Sequence, residues 1–129
     1  MRLLINIDVP DLERAILFYT AALELKHNRT LDNDVAELIG ADATVYLLLN
    51  PNASGTAGTL RNYARHWTPV HIDFVVDDIT AAIDRALAAG AIQESDCVIW
   101  RDSKCITFAD PFGHGFCLIE FPGQTVTYS

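Results

Sequence analysis

The chain has 129 residues, half of them apolar and a fifth charged, which fits one globular domain with a real core. Its net charge of −8 opposes nucleic acid and anionic membrane as partners, because both demand a basic footprint. No apolar run reaches the ~20 residues of a membrane helix, and Asn6 and Asp8 interrupt the apolar start that a signal peptide needs, so a soluble, cytoplasmic protein is expected.

In chain order, Leu3 to Val9 reads as a strand with polar residues at alternate positions. Asp11 is placed to cap a helix, its carboxylate accepting amide hydrogens of the first turn. Leu12, Ala15, Ile16, Tyr19 and Leu23 recur at helical spacing as one apolar stripe. Three strands follow near 25–31, 35–39 and 43–50, divided by Asp32-Asn33-Asp34 and Gly40-Ala41-Asp42 turn signals. Residues 51–69 form a connector, a loop first and then one or two helical turns between Leu60 and Trp67. A fifth strand, 70–76, leads to Asp78 and a helix with the stripe Ile79, Ala82, Ile83, Ala86 and Leu87, ended by Gly90. Strands near 96–100, 104–108 and 115–121 complete the chain, the last two joined by the turn Asp110-Pro111-Phe112-Gly113.

The second part repeats the first. At an offset of 67 positions Ile5, Val9, Asp11, Ala15, Ile16, Ala21 and Ala22 meet identical residues at Ile72, Val76, Asp78, Ala82, Ile83, Ala88 and Ala89. Two copies of one supersecondary unit are therefore expected, module 1 at 1–50 and module 2 at 70–129, within a single domain. Cys97, Cys105 and Cys117 are odd in number and spaced unlike a zinc knuckle, so free thiols in a reducing compartment are expected.

This order, taken with Val9-Pro10-Asp11-Leu12, Phe18-Tyr19, His71-Ile72-Asp73-Phe74-Val75, Ala86-Leu87-Ala88-Ala89-Gly90-Ala91 and Phe108-Ala109-Asp110-Pro111-Phe112-Gly113 running into Leu118-Ile119-Glu120-Phe121, resembles the vicinal-oxygen-chelate superfamily, which groups glyoxalase I, bleomycin-resistance proteins and extradiol dioxygenases. The resemblance spans about the whole chain. It implies an α+β fold of two paired βαβββ modules forming a half-barrel cleft, a homodimer, and a small-molecule ligand.

Strand alternation then sorts the side chains. Leu3, Ile5, Ile7, Val45, Leu47 and Leu49 are expected to face a helix, with Leu4, Asn6, Asp8, Thr44, Tyr46 and Leu48 facing the cleft. In the second copy Val70, Ile72, Phe74, Phe116 and Leu118 face the helix, and His71, Asp73, Val75, Cys117, Ile119 and Phe121 the cleft. By the resemblance, the positions that hold a divalent metal in metal-dependent relatives are Leu4, Tyr46, His71 and Cys117. Only His71 keeps a usual ligand. Asp73, two residues away on the same face, is the carboxylate within reach, but three good ligands are hard to assemble, and a site without metal or other cofactor is expected.

The expected ligand contacts are Asn6, Asp8, Tyr46, His71, Asp73, Trp100 and Cys117. His71 is the candidate catalytic residue if the chain is an enzyme; it reads equally as a hydrogen-bonded cavity residue. Asp73 is placed to orient its imidazole. Cys117 near His71 suggests a thiol–imidazole pair, although a buried inert thiol is the commoner outcome. Trp67, Trp100, Arg61, Arg65 and Arg101 supply rings and cations suited to a planar or anionic ligand. His114 reads as a loop residue. The leading functional reading is a small-molecule binder, the alternative a glyoxalase-type lyase or isomerase using His71.

Overall fold

A computed structural model of the chain describes residues 1–123, apart from the side chain at position 56; positions 124–129 of module 2 lie outside the described residues. Among the described residues the fold is α+β, with two open sheets, a two-stranded hairpin and two helices, and the chain divides into two compact units, 1–64 and 65–129.

Unit 1 runs β1 (Leu4–Val9), α1 (Leu12–Leu23), β2 (Lys26–Leu31), β3 (Val35–Ile39) and β4 (Thr44–Leu49). Its sheet has the order β1-β4-β3-β2, with β1 parallel to β4 and the other pairs antiparallel. The β2–β3 turn needs left-handed backbone at Asp32 (φ 51°) and Asn33 (φ 62°), which short polar side chains tolerate. Asp11 caps α1 by accepting from the Arg14 amide at 3.1 Å. The helix buries Leu12, Ala15, Phe18, Tyr19 and Ala22, so the stripe runs through Phe18 and Ala22 rather than Ile16 and Leu23, which are only half-buried. Ile7, Val9, Val45 and Leu47 are buried in the same core, whereas Leu49 and Leu3 are exposed at the strand ends.

The connector continues in unit 1 as a small hairpin, β5 (Gly55–Thr56) with β6 (Thr59–Leu60). The helical turns expected between Leu60 and Trp67 are absent. Long-range bonds hold this backbone out of a helix: the Arg61 amide donates to Ser54 O (2.7 Å), the Ala53 amide to Arg61 O (3.0 Å), and the Tyr63 hydroxyl to Asn50 O (2.9 Å).

Unit 2 runs β7 (Ile72–Val75), α2 (Ile79–Ala89), β8 (Ile92–Gln93), β9 (Val98–Trp100), β10 (Ser103–Ala109) and β11 (Gly115–Glu120). β7 is parallel to β11, β11 antiparallel to β10, and both β8 and β9 pair with β10. The strand expected near 96–100 is β9, and β8 is a further short strand ahead of it. Between them the Ser95 hydroxyl takes the Thr107 amide (2.9 Å), replacing a ladder bond with a side-chain bond. Asp78 caps α2 through the Ala81 amide (3.2 Å), and the Glu120 carboxylate takes the Ile79 amide (2.9 Å). Gly90 closes it at φ 106°. α2 buries Ile79, Ala82 and Ala86, while Leu87 lies open, a correction to the expected stripe. Phe108, Ile106 and Leu118 are withdrawn from water, each contributing roughly 1.5–3 kcal/mol. Val70, expected toward the helix, is exposed ahead of β7.

Candidate functional site

The two units carry the same backbone pattern on the sheet face away from the helix, with different chemistry. In unit 1, β1 and β4 set Asn6 opposite Tyr46, and β3 sets Glu37 opposite Tyr46. Glu37, only 8 % exposed, accepts from Asn28 Nδ2 (2.7 Å), Arg29 Nε (3.1 Å) and Nη2 (3.2 Å), and the Tyr46 hydroxyl (2.8 Å). Bonding to Arg29 first, then to Asn28 and Tyr46, holds its acid at about 2. The same bond pushes the Tyr46 phenol up from its ordinary value. Asp8 is likewise engaged, taking Asn50 Nδ2 at 2.9 Å and Arg61 Nε at 2.7 Å. Asn6 lies exposed on the same strand.

In unit 2, the register of β7 on β11 sets Asp73 opposite Cys117, and His71 is two residues before Asp73 on the same side. His71 Nε2 lies 3.2 Å from Asp73 Oδ1, both side chains about a third exposed. One donor atom each from His71, Asp73 and Cys117 lies within 4.8 Å of the other two. Cys117 is 7 % exposed, and its Sγ is 3.6 Å from the Thr107 hydroxyl. Burial pushes the thiol up to about 12, the reverse of what a nucleophile at neutral pH needs, so the thiol–imidazole pairing yields no activated thiolate. Cys105 packs against the cluster of Cys117, Ile119 and Phe121, and burial raises its thiol too.

His71 also has an aromatic neighbour. The Trp67 ring lies 4.7 Å from the imidazole, and the Arg65 guanidinium 5.2 Å from the Trp67 ring. Arg65 is tied to both Glu94 carboxylate oxygens at 2.7 Å and also donates to the His66 carbonyl. This strap needs a glycine beneath it: a Cβ on Gly115 would stand 2.3 Å from the Trp67 ring and 2.6 Å from Arg65 Nη2.

Trp100 is exposed at the β9–β10 hairpin, with Arg101 5.5 Å from its ring. His114 is a loop residue, as expected, but its ring is engaged. The buried Asp110 carboxylate pairs with His114 Nδ1 at 2.7 Å and accepts from the Phe112 and His114 amides at 2.9 Å each. On the helix side of unit 1, a groove of about 670 Å³ is lined by Pro10, Asp11, Ile16, His27, Asn33 and Leu49 among others, none of them a contact expected from the sequence.

A domain described as Glyoxalase-like domain matches residues 4–119. The chain belongs to this glyoxalase-like family, within the vicinal-oxygen-chelate superfamily. No curated protein matches the sequence. Among solved structures, this glyoxalase-like chain is similar to a glyoxalase-related enzyme from Fulvimarina pelagi (17 % identity, 100 % and 99 % of the two chains covered, TM-score 0.75). It is also similar to the fosfomycin resistance protein FosX from Listeria monocytogenes (17 %, 93 % and 92 %, 0.72) and to lactoylglutathione lyase from Agrobacterium tumefaciens (17 %, 93 % and 92 %, 0.67). At these identities the likeness shows the shared fold.

The superfamily's four-ligand metal arrangement does not fit this glyoxalase-like chain. Leu4 has no donor atom, and the Tyr46 phenol is committed to Glu37, which moves it further from the phenolate a metal needs. Sequence reasoning missed Glu37, Asn28 and Arg29. The available signal was a lone acid among Val35, Ala36, Leu38 and Ile39, at a position alternation puts opposite the helix.

Proposed function

We propose that the chain binds a small organic molecule on the polar sheet face, with His71 as the central contact. The observation that carries this reading is the His71–Asp73 pair, half-exposed at 3.2 Å, with one side of the imidazole covered by Trp67. An oriented ring nitrogen beside a carboxylate offers both a donor and an acceptor, and exposed Val75 extends the same face with apolar surface. Asp73, Cys117 and Trp100 in unit 2, and Asn6, Asp8 and Tyr46 in unit 1, are the further contacts of this proposal. Binding of this kind needs no metal. Structural neighbours named for fosfomycin resistance and for lactoylglutathione lyase both concern small organic molecules, which supports the class of ligand. A homodimer in the cytoplasm belongs to the same reading.

A glyoxalase-type lyase or isomerase is the second reading, favoured by the contact that orients His71 toward Asp73. In it the imidazole moves a proton of the substrate while Asp73 stabilises its charged form.

The test is a thermal-shift screen of the purified chain against metabolites and antibiotics. A ligand at a hundredfold excess over Kd should stabilise the protein by about 2.7 kcal/mol, and His71→Ala should abolish the shift. A ligand that shifts His71→Ala as much as the parent would remove His71 from the site. Turnover of a hemithioacetal, lost in the same variant, would select the lyase.

A further inference from the structure

His71 stands just ahead of β7, and among the described residues β7 pairs within its sheet only with β11. One step back from the Phe116–Ile72 pair, the residue level with His71 on β11 is Gly115. A cross-strand side chain is what ordinarily restrains a residue on such a strand, and glycine offers none. The restraint on His71 comes from another segment.

Trp67 fills the space over Gly115. A Cβ on Gly115 would meet both the Trp67 ring and Arg65 Nη2, and the Trp67 ring centroid is 4.7 Å from that of His71. Trp67 is itself 45 % exposed, so burial fixes it poorly. The Arg65 guanidinium, 5.2 Å from the ring, supplies the missing hold. Its Nε and Nη2 each take one Glu94 oxygen at 2.7 Å, the two-pronged geometry that sets the plane of a guanidinium. Nη1 donates to the His66 carbonyl and lies 3.5 Å from that of Gly113. Glu94 is anchored in turn, its amide donating to Thr107 O at 2.9 Å. It follows Ile92 by two residues, Ile92 pairs with Ala109, and Ala109 with Gly115, so Glu94 and Gly115 belong to one sheet face.

We propose that Trp67, Arg65 and Glu94 are positioning residues of the His71 site. Glu94 fixes Arg65, Arg65 fixes Trp67, and the Trp67 ring holds the imidazole in the orientation that meets Asp73. The proposal rests on His71 as the ligand contact and names what sets its geometry. A partly exposed ion pair adds little to stability, so the Arg65–Glu94 pair acts on ring geometry far more than on the melting temperature.

The experiment reads the ligand-free full chain by NMR at about pH 8.5, where an ordinary imidazole is neutral. A Trp100→Phe background leaves Trp67 as the single indole. Expected are cross-peaks between the Trp67 and His71 rings, and His71 ring protons displaced by the indole ring current, a displacement that Trp67→Leu abolishes. Glu94→Gln should lose the cross-peaks, move the His71 signals most of the way to their Trp67→Leu positions, and shift Trp67 emission to the red. Glu94→Asp, which keeps the charge, should recover part of each effect. Gly115→Ala, which crowds the ring and the guanidinium, should displace the His71 signals in the same way; the Glu94 variants carry the test even where Gly115→Ala does not fold. Asp78→Ala is the control for lost stability: it removes a cap of α2 and should lower the melting temperature without moving the His71 signals. His71 signals unchanged in Glu94→Gln, or displaced equally by Asp78→Ala, would overturn the proposal. Failure of the binding reading is seen separately, in the thermal shift of His71→Ala, and leaves these ring signals as they are.

Discussion

Glu37 shows how one side chain can set the acid response of unit 1. Its carboxyl is held at about 2 by Arg29, Asn28 and Tyr46, below its ordinary value of 4.5. The folded state therefore binds this proton less readily than the unfolded chain does. Its contribution to stability is complete above about pH 4.5 and drains away as pH falls toward 2. Glu37→Gln should accordingly flatten the loss of stability across that window, as read by denaturant unfolding at stepped pH; parallel losses in parent and variant would assign the acid response to other groups. That Tyr46 lies on the sheet face away from the helix was legible from alternation alone. Its partner was not, because Glu37 reaches it only through the β3–β4 register, which is a non-local pairing. Asp73 opposite Cys117 was obscured in the same way. The two lie 44 positions apart in the chain, and only the parallel register of β7 on β11 makes them neighbours.

At the scale of elements, what was legible follows from how local the determining chemistry is. Asp11 and Asp78 cap their helices as expected, because a cap acts on an amide three residues away. Gly90 ends α2 for an equally local reason. The connector was misjudged because its shape is set by Asn50, Ser54 and Asp8 rather than by its own periodicity. The break between β8 and β9 depends on one Ser95 hydroxyl finding the Thr107 amide twelve residues on. For α2 a definite cost follows. Asp78→Ala removes one N-terminal acceptor while Glu120 still holds the Ile79 amide, so urea unfolding should show a loss of about 1 kcal/mol with an unchanged m-value. A loss below about 0.3 kcal/mol would mean that Glu120 carries the helix start alone.

Across the whole molecule, the repeat gives two similar scaffolds whose polar faces differ in chemistry. Both begin with a strand, an aspartate cap and a helix, and both place the first strand parallel to the last. In unit 1 the charged groups of that face satisfy one another: Glu37 with Asn28, Arg29 and Tyr46, Asp8 with Asn50 and Arg61. In unit 2 His71 and Asp73 stay about a third exposed, beside a sulfur. The repeat made the fold readable from the sequence. It could not show this difference, since self-satisfied and open faces use the same residue types.

The strand β9 carries a practical consequence. Val98, Ile99 and Trp100 are all exposed, and among the described residues β9 pairs only with β10. A short, exposed apolar strand at a sheet edge is a template for another chain's backbone, so concentrated stocks should cloud by edge-to-edge stacking. Ile99→Lys puts a charge in the middle of that edge. It should raise the concentration at which turbidity begins while leaving the melting temperature within about a degree, since a surface change of this kind shifts stability by under ~0.5 kcal/mol.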